Sequence, residues 1–497
     1  MKTRFLSKKI IIILLLIFWT SITYSKEAKV VIYPAPEGET PSLDFNVKVD
    51  DKQVFVYQAR VSAIPVNQVW PGYQRPQEQT EIASFAYFDI SGQVSIEVTS
   101  NKEIKSVDIR PKSYGIKPVI KGNVIRFDLS RQCKIVVEVN GWHNALHLFA
   151  NDIEKNPPKP TDSNLRYFGP GVHRAGIIKM NDKETIYIAG GAVVHGVIEA
   201  TNLSNIRILG RGILDASTIG RFDANDMIAL TGCSDILIDG IICRDPHKWT
   251  VTPRRCKNVK ISDIKLVGLW RYNSDGIDIC NTQNVIIDNC FVRAFDDNIV
   301  FKGLGQRRSN ANTKEMDVRN VEVRNCVLWN DWGRALEIGA ETVADSISYI
   351  VFKDCDIIHY VHIAMDIQNG DRAVVHHVKY ENIRVEEPIV QNAKIADRPY
   401  DPSEIGKLFE MVIRKTVISR DSIRGRIEDI SFKNITFTGS TSPKSVFEGF
   451  DDNHLIKNIT FENITINGKN VKNLEQGNMI LTYLLGILCL NNFNKII

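Results

Sequence analysis

Two patterns of hydrophobic alternation divide the 497-residue chain. From Lys26 to about Asn151, short alternating runs such as Phe45–Val49, Phe85–Phe88, Val94–Val98, Val124–Phe127 and Ile135–Val139 are broken by turn signals including Asp50-Asp51, Ser91-Gly92 and Asn140-Gly141. Regular strand–turn spacing of this kind predicts a β-sandwich over residues 26–155. Asn156-Pro-Pro-Lys-Pro160 is stiff and polar and reads as a linker.

Beyond the linker one phrase recurs: Asn or Asp, an aliphatic, a variable position, another aliphatic, then a short polar turn. Its second position falls at Ile206, Ile236, Val259, Val285, Val321, Ile350, Val378, Ile430 and Ile459, in steps of 30, 23, 26, 36, 29, 28, 52 and 29 residues. Units of this length, alternating inside and without helical periodicity, predict a parallel β-helix over residues 161–478. A β-propeller would need four strands per unit, and the units are too short. The phrase asparagines are expected to stack as an amide ladder. The apolar end, residues 479–497, is out of character and too short to span a membrane; its role stays open.

Composition adds compartment and partner class. Residues 1–25 read as a secretory signal peptide, with Lys2, Arg4, Lys8 and Lys9 before the apolar run Ile10–Trp19; a membrane anchor is the alternative. Without those four cations the formal charge falls from +4 to zero, which argues against a nucleic-acid partner. The expectation is a secreted or periplasmic protein with no stable membrane insertion after cleavage. Nine cysteines would suit disulfides, but Cys290, Cys326 and Cys355 share one repeat position and read as stacked buried thiols. No spacing suggests zinc, and no metal or cofactor is expected.

The chemistry concentrates between Asn273 and Lys302. Asp275-Gly-Ile277-Asp-Ile279 and Asp297-Asn-Ile299-Val-Phe301 are two copies of one phrase, 22 residues apart, with Asp296 beside the second. Aligning the inward pairs Ile277/Ile279, Ile299/Phe301, Leu336/Ile338 and Met365/Ile367 puts Asp275, Asp297 and Arg334 in neighbouring coils. Asp278, Val300, Glu337 and Asp366 then form one outward row, and Cys280, Lys302, Gly339 and Gln368 the next. Carboxylates so close cannot all ionise, so one pKa should rise, leaving an acid beside bases at one pH. Glycosidic hydrolysis needs that pairing. Calcium binding or a solvated Asp-rich turn is the alternative on spacing alone. Trp249, Trp270, Tyr272 and Trp332 flank the cluster as sugar platforms or as loop packing.

Asn273-Ser-Asp275-Gly-Ile-Asp, followed by Asp296-Asp297 and Lys302, resembles the catalytic region of glycoside hydrolase family 28, the polygalacturonases. Gly210-Arg-Gly-Ile-Leu-Asp215 and Asp245-Pro-His-Lys-Trp249 resemble further segments of that family. The N-terminal sandwich is more similar to family 49, the dextranases and isopullulanases. The resemblance implies a right-handed helix of the pectin-lyase type and an inverting reaction on a polysaccharide or oligosaccharide. It implies Asp296 as general acid and Asp275 with Asp297 as the base pair. Substrate contacts would fall to Lys302, Arg334, Glu337, Asp366, Gln368, Trp249 and Trp332. Two departures stand out: Arg334 replaces a histidine, and Asp366-Ile-Gln368 replaces an Arg-Ile-Lys cation fork. The expected substrate is therefore a neutral or decorated glycan. A lyase or epimerase on the same fold, or a non-catalytic glycan-binding helix, are the rival readings. Long loops at Gln306–Glu315 and Glu386–Arg426 leave room for exo action.

Overall fold

The computed structural model describes residues 28–64, 69–305, 315–386, 406–440 and 442–490, with the side chains of 485–490 excepted. The expected signal peptide lies outside the described residues. Among the described residues no helix is long and apolar enough to cross a membrane.

The N-terminal strands form two facing sheets. One contains Lys29–Ile32, Tyr57–Ser62, Thr80–Ser91, Val107–Arg110, Cys133–Val139 and Leu146–Asp152. The other contains Phe45–Val49, Lys52–Val54, Val94–Ser100, Val119–Lys121 and Val124–Leu129. Alternation explains why parts of the first sheet are apolar throughout. Ala86, Phe88, Ile135, Val137 and Leu148 point into the sandwich core. Their neighbours Phe85, Tyr87, Val136 and Phe149 point the other way, onto the second part of the chain. A strand buried on both faces has no polar face to show.

That second part is a right-handed parallel β-helix with three columns of strands. The ladder column runs from Leu165–Phe168 through Arg207–Gly210, Lys257–Ser262, Gln283–Asp288 and Val318–Arg324 to Ile456–Ile466 and Leu484–Leu490. A second column, including Ile213–Asp215, Phe291–Ala294, Val327–Asn330 and Asp356–His359, lies against the sandwich. The third holds Val251–Arg254, Ile277–Cys280, Ile299–Leu304, Arg334–Val343, Ile363–Asn369 and Lys407–Ile413, and forms the floor of a cleft. Inside, one continuous core of Ile, Val and Leu includes the ring stack Phe301, Phe352, Tyr380, Phe432 and Phe461.

The expected amide ladders are present at both ends of the ladder strands. Asn320 donates to Asn284, Asn284 to Asn258 and Asn258 to Asp235, at 2.9–3.1 Å. Asn463, Asn434, Asn382 and Asp354 form the second, at 2.8–2.9 Å. These residues hold positive φ, a conformation that Asn and Asp tolerate best after Gly. The eight cysteines whose side chains are described are all buried free thiols. The apolar end of the chain extends the stack: Met479–Thr482 pairs with Ser445–Glu448, and Leu484–Leu490 pairs with Ile456–Ile466.

Charged groups cross the junction of the two parts. Arg211 meets Asp89 at 3.3 Å, Lys134 meets Asp263 at 3.1 Å, and Arg244 bridges Glu39 and Asp215 at 2.8 and 2.5 Å. Arg110 sits between Glu138 and Glu386, and Glu138 also receives His359 at 2.5 Å.

Candidate active site

The cleft floor has the register expected from the inward pairs. Ile277 pairs with Ile299, Ile299 with Leu336 and Leu336 with Met365. Asp278, Val300, Glu337, Asp366 and Glu410 therefore form one row, and Cys280, Lys302 and then Gly339, Gln368 and Val412 the next. Ahead of these strands the turns also stack. Gly276 N–H donates to the Asp297 carbonyl at 2.7 Å and Asp296 N–H to the Ser274 carbonyl at 3.3 Å, so 22 residues make one coil. Gly276 is required: a Cβ there would lie 2.4 Å from the Asn298 carbonyl oxygen. Buried Asn330 pins the acid turn by donating to the Asp296 carbonyl at 2.6 Å.

The outward row was expected to face open solvent; it lies deep. Asp275, Asp278, Glu337 and Asp366 are at most 1 % exposed, and Asp296, Asp297, Lys302 and Gln368 are 4–7 % exposed. The reason is that neighbouring long side chains fold over the floor. Lys302 Nζ stands 4.1 Å from the Trp249 ring centroid, and Arg334 lies across Asp297, Glu337 and Asp366.

Lys302 is the hub. Its ammonium is 2.8 Å from Asp278, 3.0 Å from Asp275 and 3.6 Å from Asp297. Asp296 lacks such a contact with Lys302 and accepts instead from Asn273 Nδ2 at 3.3 Å. Arg221 holds the other end of that amide, donating to Asn273 Oδ1 at 2.9 Å, so the Asn273 NH2 must face the acid. Burial, then the neighbouring Asp297, pushes the Asp296 carboxyl up to about 8. Burial also pushes Asp278 to about 6 and Asp275 well above its usual range, with Lys302 opposing both. Asp297 accepts the Arg334 backbone N–H at 3.2 Å, and Arg334 is 3.3 Å from Asp366. Asp366 is pushed up to about 7 by burial and then by Glu410, which itself binds Lys407 and, at 2.7 Å, Arg414. Both Asp366 oxygens, Glu337 Oε2, Asp278 Oδ2 and Asp275 Oδ1 are buried without a hydrogen-bond partner. Acceptors left open in this way suit the hydroxyl donors of a sugar.

The chain matches the model of glycosyl hydrolases family 28 over residues 195–480. It belongs to that family. Among solved structures, this family 28 chain is similar to Dex49A from Penicillium minioluteum, at 14% identity and a TM-score of 0.64, covering 92% of this chain and 96% of that one. It is also similar to the family 28 exopolygalacturonase of Yersinia enterocolitica, at 12% identity and a TM-score of 0.50, covering 81% and 97%. At these identities the likeness is one of fold. Comparison with curated protein sequences returns no match.

This family 28 chain is thus a glycoside hydrolase acting on carbohydrate, and the cleft sorts its predicted residues. Asp275, Asp296, Asp297, Lys302, Arg334, Glu337 and Asp366 come together, and Gln368 is two residues along the same floor strand from Asp366. Trp249 lines the cleft beneath Lys302, whereas Trp332 packs on Phe295 at 5.4 Å. Trp270 is buried and donates to Asp245 at 2.9 Å, which excludes it as a platform. Arg254, Arg255 and Arg271 are engaged by Asp226, Glu315 and Asp245. The long loops fall largely outside the described residues, at 306–314 and 387–405, and Glu386 belongs to the sandwich junction. Sequence reasoning missed Arg221, Glu410, Lys407 and the N-terminal residues Trp70 and Tyr73. Only the three-dimensional stacking brings the last two near Tyr272.

Proposed function

We propose that the protein hydrolyses a neutral or decorated glycan with inversion of configuration, using Asp296 as general acid and Asp275 with Asp297 as the base pair. The observation that carries the reading is the asymmetry around Lys302. The ammonium contacts Asp275 and Asp297, while Asp296 is turned to an amide donor and is held protonated by burial. With Asn273 on Oδ2, the proton is left on Oδ1, free to pass to the leaving glycosidic oxygen as the C–O bond breaks. A water on the other face of the sugar attacks the anomeric carbon and gives its proton to Asp297 or Asp275. Asp275 and Asp297 flank one ammonium, so a single ionised carboxylate between them suffices.

The substrate reading rests on the floor beyond the acids. Glu337, Asp366 and Glu410 stand in line where a uronate carboxylate would be repelled, and Arg334, Lys407 and Arg414 are already committed to them. No observation favours a lyase: Lys302, the base such a reaction would need, is held by carboxylates. Export is part of the proposal and is supported by the pattern of residues 1–25.

A panel of neutral α-glucan, galactan, polygalacturonate and sulfated glycans tests this reading. We expect turnover of a neutral or decorated polymer in preference to polygalacturonate, an inverted anomer by NMR, and an alkaline limb of kcat/KM near pH 8. Asp296→Asn should fold normally and lose about 10²–10⁴-fold in kcat. Better turnover of polygalacturonate would overturn the substrate reading; an active Asp296→Asn would overturn the acid assignment.

A further inference from the structure

Tyr73 belongs to the N-terminal domain, yet it stacks on Tyr272 of the β-helix with ring centroids 5.3 Å apart. Tyr272 immediately precedes Asn273, the donor to Asp296. Phe222 meets the edge of Tyr73 at 6.3 Å and is 77 % exposed, while Tyr73 is 42 % exposed. The Arg221 guanidinium stands 5.0 Å from the Tyr73 ring centroid and 5.2 Å from that of Tyr272. One set of contacts therefore joins these rings, through Arg221 and Asn273, to the catalytic acid.

The segment bearing Tyr73 is anchored from both sides. Trp70, 3 % exposed, wedges between Phe295 and Tyr272 at 6.0 and 6.1 Å. Arg75, 4 % exposed, donates to Ser62 Oγ, Ile64 O, Gln79 O and Trp270 O at 2.6–3.2 Å. Between the anchors Tyr73 is held at φ 57°, a left-handed conformation that bulky side chains avoid. The fold accepts that strain and keeps the ring half open to solvent. A ring serving only to pack the domains together would be buried, as Trp70 is. Strain at an exposed aromatic beside reactive groups is the pattern of a ligand contact.

We propose that Tyr73, Phe222 and Tyr272 form a subsite that takes one pyranose ring of the bound glycan next to Asp296, so that the N-terminal domain supplies part of the substrate cleft. The axial C–H groups of a pyranose form an apolar face that lies on an aromatic ring, and the Arg221 guanidinium beside the rings is a donor for its rim of hydroxyls. The inference rests on placing the chemistry at Asp296, and its test separates the two. Asp296→Asn protein is applied to an array of neutral α-glucan, galactan, galacturonan and sulfated oligosaccharides of graded length, alone and combined with Tyr73→Ala, Phe222→Ala or Tyr73→Phe. Retention on the glycans that the parent binds should fall about tenfold with either alanine and survive with phenylalanine. Phe222 is exposed enough that its removal leaves folding intact, which equal melting temperatures would verify. Unchanged retention in both alanine variants, or no retained glycan for the parent, overturns the subsite. Retained glycans that the wild-type enzyme fails to cleave would instead overturn the catalytic assignment and leave the subsite standing.

Discussion

At the scale of single residues the cleft is a store of unfavourable charge. Asp366 shows the consequence. Its folded pKa of about 7 lies above the ordinary 3.8, so the folded protein holds that proton more tightly than the unfolded chain does. The associated stability is complete below about pH 4 and is lost as pH rises through 7. Asp366→Asn abolishes the titration. Its melting temperature should match or exceed wild type, with the margin widening from pH 5 to pH 8. A constant margin across that range would contradict the buried-acid account. The acids themselves were legible in the sequence because alternation and a 22-residue repeat determine which side chains share a column. Their burial was not, because alternation gives the side of a strand and not what folds over it. Arg221 was likewise invisible: it sits in an irregular turn with no period to place it.

At the scale of elements, coil stacking fixes the acid turn to within the width of an atom. Gly333 lies against it, and a Cβ there would stand 2.6 Å from the Asp296 carbonyl carbon and 2.7 Å from both Asp296 Oδ1 and Asp297 N. Gly333→Ala must therefore push the Asp296–Asp297 turn away from its neighbour coil. The expected result is a fall in kcat of about 100-fold with the β-rich circular dichroism spectrum unchanged. Strand registers were readable in advance since a one-residue slip would turn every Ile and Val outward. Leu484–Leu490 escaped because Gly486 stands where Asn458 marks the ladder strand before it, and Met479–Thr482 belongs to the floor column, which the ladder phrase does not mark.

At the scale of the whole molecule the two parts are welded by buried charge as well as by apolar contact. Arg110, Glu138 and Glu386 are each 2–6 % exposed, and removing the cation leaves Glu138 to His359 alone and Glu386 to the Lys112 backbone N–H. Arg110→Met should cost about 3–5 kcal/mol in chemical denaturation. Wild-type protein should unfold in one calorimetric transition rather than as two separable domains. The pairs that cross the junction were not foreseeable, since each joins residues from different folding patterns more than a hundred positions apart: Arg110 and Glu386 are 276 apart, His359 and Glu138 221, and Lys134 and Asp263 129.

The row Asp278, Val300, Glu337, Asp366 and Glu410 also works as a ruler. Each coil advances it by one strand spacing, so its four steps measure roughly 19 Å along the cleft. If the proposed glycan lies along the floor, position on the sugar chain is thereby converted into coil number. On the proposed reading, a change at Glu410 should be felt by a ring several units from the one beside Lys302, and the preferred length of substrate would be written, coil by coil, in which of these side chains can hold a hydroxyl.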